Sequence, residues 1–126
     1  MSFIGVRRLH HHTFTFPTGQ EQRVRDFYGG LLGFDEIPKP PTMRPVGVWF
    51  RSNAVELHFI PDDNFVPNRL GHPAIIVEDL DALTAHLTSH QIRVEPDARL
   101  PGYRRFHTYD HCGNQIEFLQ ESEEAL

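Results

Sequence analysis

The chain has 126 residues, a net charge of −5 and 39% apolar residues, among them ten Phe, three Tyr and one Trp, so it can bury a sizeable core. The acidic balance argues against a general nucleic-acid binder, although every basic residue except Lys39 is Arg. A single cysteine, Cys112, rules out a disulfide or a thiolate metal cluster within one chain. No run approaches the ~20 apolar residues of a membrane span, and Met1 to Leu9 has no secretory core, so a cytoplasmic protein without membrane association is expected.

Taken in order, Met1 to Arg8 reads as an arm. His10 to Phe16 alternates β-branched and aromatic residues and predicts a strand, with His11, Thr13 and Thr15 on one face and His10, His12, Phe14 and Phe16 on the other. Thr18 to Glu21 has the form of a capping box. Val24, Phe27, Tyr28, Leu31 and Leu32 then predict an amphipathic helix stopped at Gly33. Phe34 to Ile37 starts a second strand. Pro38 to Thr42 breaks regular structure, and Val46 to Arg51 with Ala54 to Ile60 predicts a hairpin turning at Ser52-Asn53. After the polar connection 61–69 the order repeats. His72 to Val77 is a strand, Asp79 caps a helix with Leu80, Leu83 and Leu87 inward, and Ile92 to Glu95 is a strand. Arg104 to Tyr109 pairs with Gln115 to Leu119 through the turn Asp110 to Asn114. The last stretch, ESEEAL, reads as a solvated acidic tail. Each half is therefore βαβββ.

The repeat has a chemical content. Laying His72 over His11 gives an offset of 61 residues, and laying Glu117 over Glu56 gives 61 again. A histidine opens each half and a glutamate closes it. If the two sheets curl toward one another, all four face one cleft. Two imidazoles and two carboxylates suit a divalent Zn, Ni, Mn or Fe ion with solvent in the open positions. His58 shares the face of Glu56 one pleat along and competes with it as the fourth ligand. His10 and His12 fall on the helix side as structural residues. His86 and His90, one helical turn apart, fall on an exposed face, and Cys112 has no base beside it. Tyr103, Arg105, His107 and Tyr109 alternate on one strand face, where Arg105 would hold a substrate carboxylate; Trp49 or Phe50 would form an apolar wall.

The segments LHHHTFTFP, VRDFYGGLLGF, GHPAIIVEDLDAL and DHCGNQIEFLQ resemble the vicinal oxygen chelate superfamily of glyoxalase I, bleomycin-resistance proteins, fosfomycin-modifying enzymes and extradiol dioxygenases. The resemblance implies an α+β fold in which two βαβββ modules pair into a curved half-barrel around a shared cleft. It implies one glyoxalase-like domain over residues 1–126, with modules at 8–61 and 70–121 joined by loop 61–69, commonly in a homodimer. Its ligand positions fall on His11, His72 and Glu117, with a fourth from the strand of Glu56 and His58. The implied activity is that of a metal-dependent lyase or isomerase. It would chelate neighbouring oxygens of a small substrate and move a proton with Glu56 or Glu117. The alternatives are a fosfomycin-type thiol or water transferase, with Thr13 or Thr15 near the substrate, and a drug-binding protein without chemistry. The family's usual Asp-Pro-x-Gly-Asn turn is here Asp110-His111-Cys112-Gly113-Asn114. Whether the cleft forms within one chain or between two is open at this level.

Overall fold

A computed structural model describes residues 4–122; the ends of the predicted arm and acidic tail, 1–3 and 123–126, lie outside the described residues. Eight strands form two four-stranded sheets. In the first half β1 (His12–Pro17), α1 (Glu21–Val24, continued by a π-helical stretch Arg25–Leu31), β2 (Asp35–Ile37), β3 (Val48–Ser52) and β4 (Val55–Asp62) follow in order. The second half has β5 (Ala74–Ile76), α2 (Leu80–Ser89), β6 (Val94–Pro96), β7 (Tyr103–Tyr109) and β8 (Gln115–Glu121). The sheet orders, β1-β4-β3-β2 and β5-β8-β7-β6, are the same. In each, the first strand runs parallel to the last and the remaining pairs are antiparallel. The expected βαβββ repeat is the observed fold, with the sheets curved but not closed into a barrel.

Period-two alternation does the sorting. Phe14, Phe16, Phe50, Leu57 and Phe59 of the first sheet and Phe106, Ile116 and Phe118 of the second are buried on the helix side. Val24, Phe27 and Tyr28 from the first helix and Leu80 and Leu87 from the second complete one core cluster spanning both halves. Asp79 caps α2 as expected, its carboxylate accepting from the Ala82 amide at 2.9 Å.

Three local details depart from expectation. Thr18 does not cap the first helix; its hydroxyl donates to Asp63 Oδ1 at 2.6 Å, and the helix starts three residues later, at Glu21, with no side-chain cap. Arg25–Leu31 widens to a π-helix, and the end is closed by Leu32 N–H to Phe27 O and Phe34 N–H to Tyr28 O, with Gly33 at φ +75°. The widened turn contains Gly29, where an added Cβ would lie 3.3 Å from the Phe50 ring, so the backbone packs close to β3. The β3–β4 turn falls on Asn53-Ala54, one residue later than expected, with Asn53 left-handed at φ 51°.

The sheet register corrects the constant offset. His58 lies opposite Thr13 on one side and Trp49 on the other, as Glu117 lies opposite Ala74 and His107. Glu117 therefore corresponds to His58, and Glu56 to Gln115. Connections of unequal length cause the slip: from Thr13 of β1 to Ile37 of β2 is 24 residues where Ala74 of β5 to Glu95 of β6 is 21, and Trp49 to His58 is 9 where His107 to Glu117 is 10.

The β7–β8 turn joins the halves. Asp110 accepts from the buried Tyr28 hydroxyl at 2.8 Å and from the amides of Cys112 and Asn114. The Asn114 side chain donates to Thr15 O at 2.8 Å, and its oxygen accepts from the Asn68 amide at 3.2 Å.

Candidate metal centre and substrate cleft

In the second sheet three adjacent strands converge on Glu117. His107 is directly opposite it on β7; His72 lies two residues before Ala74, its opposite number on β5. Glu117 Oε1 is 2.9 Å from His72 Nε2 and 3.3 Å from His107 Nε2. Among the described residues, these three form a group whose ligand atoms all lie within 4.8 Å of one another. The other oxygen, Oε2, accepts from Arg105 at 2.9 Å, and Arg105 also reaches Asp97 at 3.2 Å. Two nitrogens of Arg105 are thus engaged by carboxylates of the protein, while its buried Nε has no hydrogen-bond partner among the described residues. Burial pushes the Glu117 carboxyl up, but the hydrogen bonds from Arg105 and His72 outweigh it and hold the group below its ordinary value.

The donor set fits a divalent ion. His72 Nδ1 lies 2.8 Å from the carbonyl of Leu70, which can only accept, so Nδ1 carries a proton. His72 thereby turns Nε2 toward Glu117, an orientation found in metal-bound histidines whose other nitrogen is held by a backbone carbonyl.

The first sheet builds something different from corresponding positions. His58 is sandwiched between Trp49 and His11, with ring centroids 3.8 Å apart on each side. Glu56 accepts from Arg51 at 2.8 Å and meets His58 Nε2 at 2.7 Å. Hydrogen bonds, first from Arg51 and then from His58, hold the Glu56 carboxyl down to about 2. Burial lowers His58, partly opposed by Glu56. A neutral His58 that donates Nε2–H to Glu56 keeps Nδ1 as its basic nitrogen. Replacing Glu56→Gln removes the main influence opposing burial. The His58 pKa, followed by nitrogen-detected NMR of the metal-free protein, is expected to fall further; an unchanged or raised value would refute this pairing.

A cavity of about 520 Å³ opens between the halves, and His11, His12, Glu56 and His72 are among the residues lining it. A second cavity, about 300 Å³, lies over the first sheet and is lined in part by His11, Thr13, Trp49 and His58. Thr15 lines neither, and its carbonyl is bound by Asn114. His12 packs edge-on against Phe14; burial first, then the charges of His11 and His72, lower its pKa. His86 is exposed, its Nε2–H donating to Leu31 O. The Cys112 thiol is raised to about 11, chiefly by burial and then by Asp110, which makes it a poor nucleophile. His107 was identifiable from sequence only as a neighbour of Arg105 on an alternating face. Counting back from the turn at Asp110 to Asn114 as a symmetric hairpin would have placed it opposite Glu117.

Comparison with known proteins agrees with this architecture. The model of the Glyoxalase/Bleomycin resistance protein/Dioxygenase superfamily matches residues 8–118. No curated protein matches the chain. A glyoxalase family protein from Bacillus anthracis is 34% identical, covers 94% of this chain and 98% of its own, and superposes with a TM-score of 0.89. Two more distant structures share the fold. TnmS3, an antibiotic-binding protein from Streptomyces sp. CB03234, is 21% identical over 94% of this chain and 100% of its own, with a TM-score of 0.72. A mutant of the fosfomycin resistance protein FosX from Listeria monocytogenes, complexed with Mn(II) and 1S,2S-dihydroxypropylphosphonic acid, is 15% identical over 96% and 97%, with a TM-score of 0.76. With its paired βαβββ sheets and a family match running through both of them, the chain belongs to the Glyoxalase/Bleomycin resistance protein/Dioxygenase superfamily.

Proposed function

We propose that this chain is a metal-dependent lyase or isomerase of the glyoxalase type, acting as a cytoplasmic homodimer on a small substrate with neighbouring oxygens. The observation that carries the reading is the convergence of His72 Nε2 and His107 Nε2 on one oxygen of the buried, ionised Glu117. His72 and Glu117 are ligands in this reading, with His11 and either His58 or Glu56 facing the ion from the first module of the same or a second chain. A divalent ion bound there would supply positive charge to adjacent substrate oxygens and acidify a neighbouring C–H.

The protein's own groups supply the rest. Glu117 is the proton acceptor, ionised at neutral pH and oriented through Oε2 by Arg105. Glu56, held near 2 by Arg51 and His58, is a weaker base, and its part is to orient His58. Thr13 and Trp49 border the substrate space beside His11; Thr15 stands one pleat further along the same strand. Arg105 acts through Glu117 instead of holding substrate itself.

Elemental analysis of the tag-free protein beside His72→Ala and Glu117→Ala tests the reading. About one equivalent of metal in the parent, lost in both variants, is the expected result. A parent that takes up none after exposure to Ni, Zn, Mn and Fe(II) overturns it. The second reading is a drug-modifying or drug-binding protein, favoured by the open cavity of about 520 Å³ beside the histidines and by the FosX and TnmS3 folds. Turnover of fosfomycin, or a tight drug complex without turnover, would favour it over the isomerase.

A further inference from the structure

We propose that His107 Nε2 is a further ligand of this centre, joining His72 Nε2 and Glu117 Oε1 on one divalent ion. This rests on the metal-dependent reading above and adds a ligand that the repeat of His11 and Glu56 does not supply. Three adjacent hydrogen-bonded strands, β5, β8 and β7, hold the three side chains on one face. Ligand atoms adjacent on one ion at ~2.1 Å lie roughly 3 Å apart, and the two N–O separations here are 2.9 and 3.3 Å.

Two ring nitrogens from neighbouring strands meet at a single carboxylate oxygen, and with Nδ1 of His72 directed at Leu70 O the three ligand atoms all lie within 4.8 Å of one another, close enough to share one cation. Arg105 takes only the other oxygen, Oε2, and Asp97 beside it offsets the guanidinium charge. In the first module the position of His107 carries Trp49, whose indole nitrogen is a donor and offers no lone pair for a metal. Corresponding positions thus give an aromatic stack in one half and a two-histidine, one-carboxylate set in the other, the ligand combination of many open divalent sites.

The test is Co(II) binding to the full-length, metal-free protein, measured by calorimetry for the parent, His107→Gln and His11→Gln, with His90→Gln as the surface control. His107→Gln is expected to weaken Co(II) by about 100-fold or more, a larger loss than at His11. A second measurement needs no variant to fold: with labelled histidines, the ring signals of His72 and His107 in the Co(II)-loaded parent should show large paramagnetic shifts. Parent-like affinity in His107→Gln, or an unshifted His107 ring in a parent that binds Co(II), overturns this site while leaving the metal-dependent reading standing. A parent that binds no Co(II) overturns this site; uptake of none of the other ions as well overturns both.

Discussion

Asp110→Ala is expected to destabilise the protein by about 3–5 kcal/mol, because three donors lose their acceptor inside the fold. The Tyr28 hydroxyl is fully buried and donates to Oδ2, while the amides of Cys112 and Asn114 donate to Oδ1. The Tyr28 bond ties the first helix to the β7–β8 turn, so its loss also loosens the join between the halves. Tyr28→Phe removes one of the three donors and leaves Asp110 its two amides; about 1–2 kcal/mol is expected. The pH dependence provides a second check. Burial raises the Asp110 pKa above its ordinary 3.8, against the opposing bonds from Tyr28, Cys112 and Asn114. The folded state therefore holds that proton more tightly than the unfolded chain does. The resulting stability is fully present below 3.8 and is lost as pH rises through the folded value. Since the alanine variant has no such group, its deficit should be largest in acid and narrow toward neutrality. Urea denaturation of parent and variant at about pH 4 and about pH 7 measures both effects. A deficit under about 1 kcal/mol, or one that widens with pH, would show that Asp110 has a different role.

The second large effect is at Gly47, immediately before β3. Its φ is +87°, and an added Cβ would fall inside contact distance of the Phe59 carbonyl oxygen. Left-handed backbone costs a non-glycine residue roughly 1–2 kcal/mol, and the clash adds to that. The segment cannot easily move away: Lys39 Nζ donates to the carbonyls of Arg44 and Val46, and Val48 is already paired with Phe59. Gly47→Ala is expected to cost about 3 kcal/mol or more in total, placing it among the severe single substitutions. Gly33→Ala separates the two contributions, since Gly33 is also left-handed at φ +75° but has nothing within 4 Å of an added Cβ. Equal losses at the two positions would mean that the Phe59 contact relaxes at little cost. A larger loss at Gly47 should also disturb Trp49 two residues on, and tryptophan fluorescence would report it.

Sequence by itself determined the repeat and the faces. Alternating residues send Phe14, Phe16, Leu57 and Phe59 inward, and the same period keeps His58 and Glu117 on the opposite side of their strands. The βαβββ order and the cap at Asp79 followed from equally local rules. Tertiary structure decided which residues on a face meet. A face depends on counting by two along one strand, but a lateral neighbour depends on register, and register depends on the lengths of the loops between strands. A longer β1–β2 connection, partly offset by a shorter β3–β4 turn, moved the counterpart of Glu117 from Glu56 to His58. The same cross-strand pairing brought His107 to Glu117 and committed Arg105 to Glu117 and Asp97. The capping box failed for a related reason: Thr18 met Asp63, 45 residues away, and a contact between distant segments is absent from any local pattern.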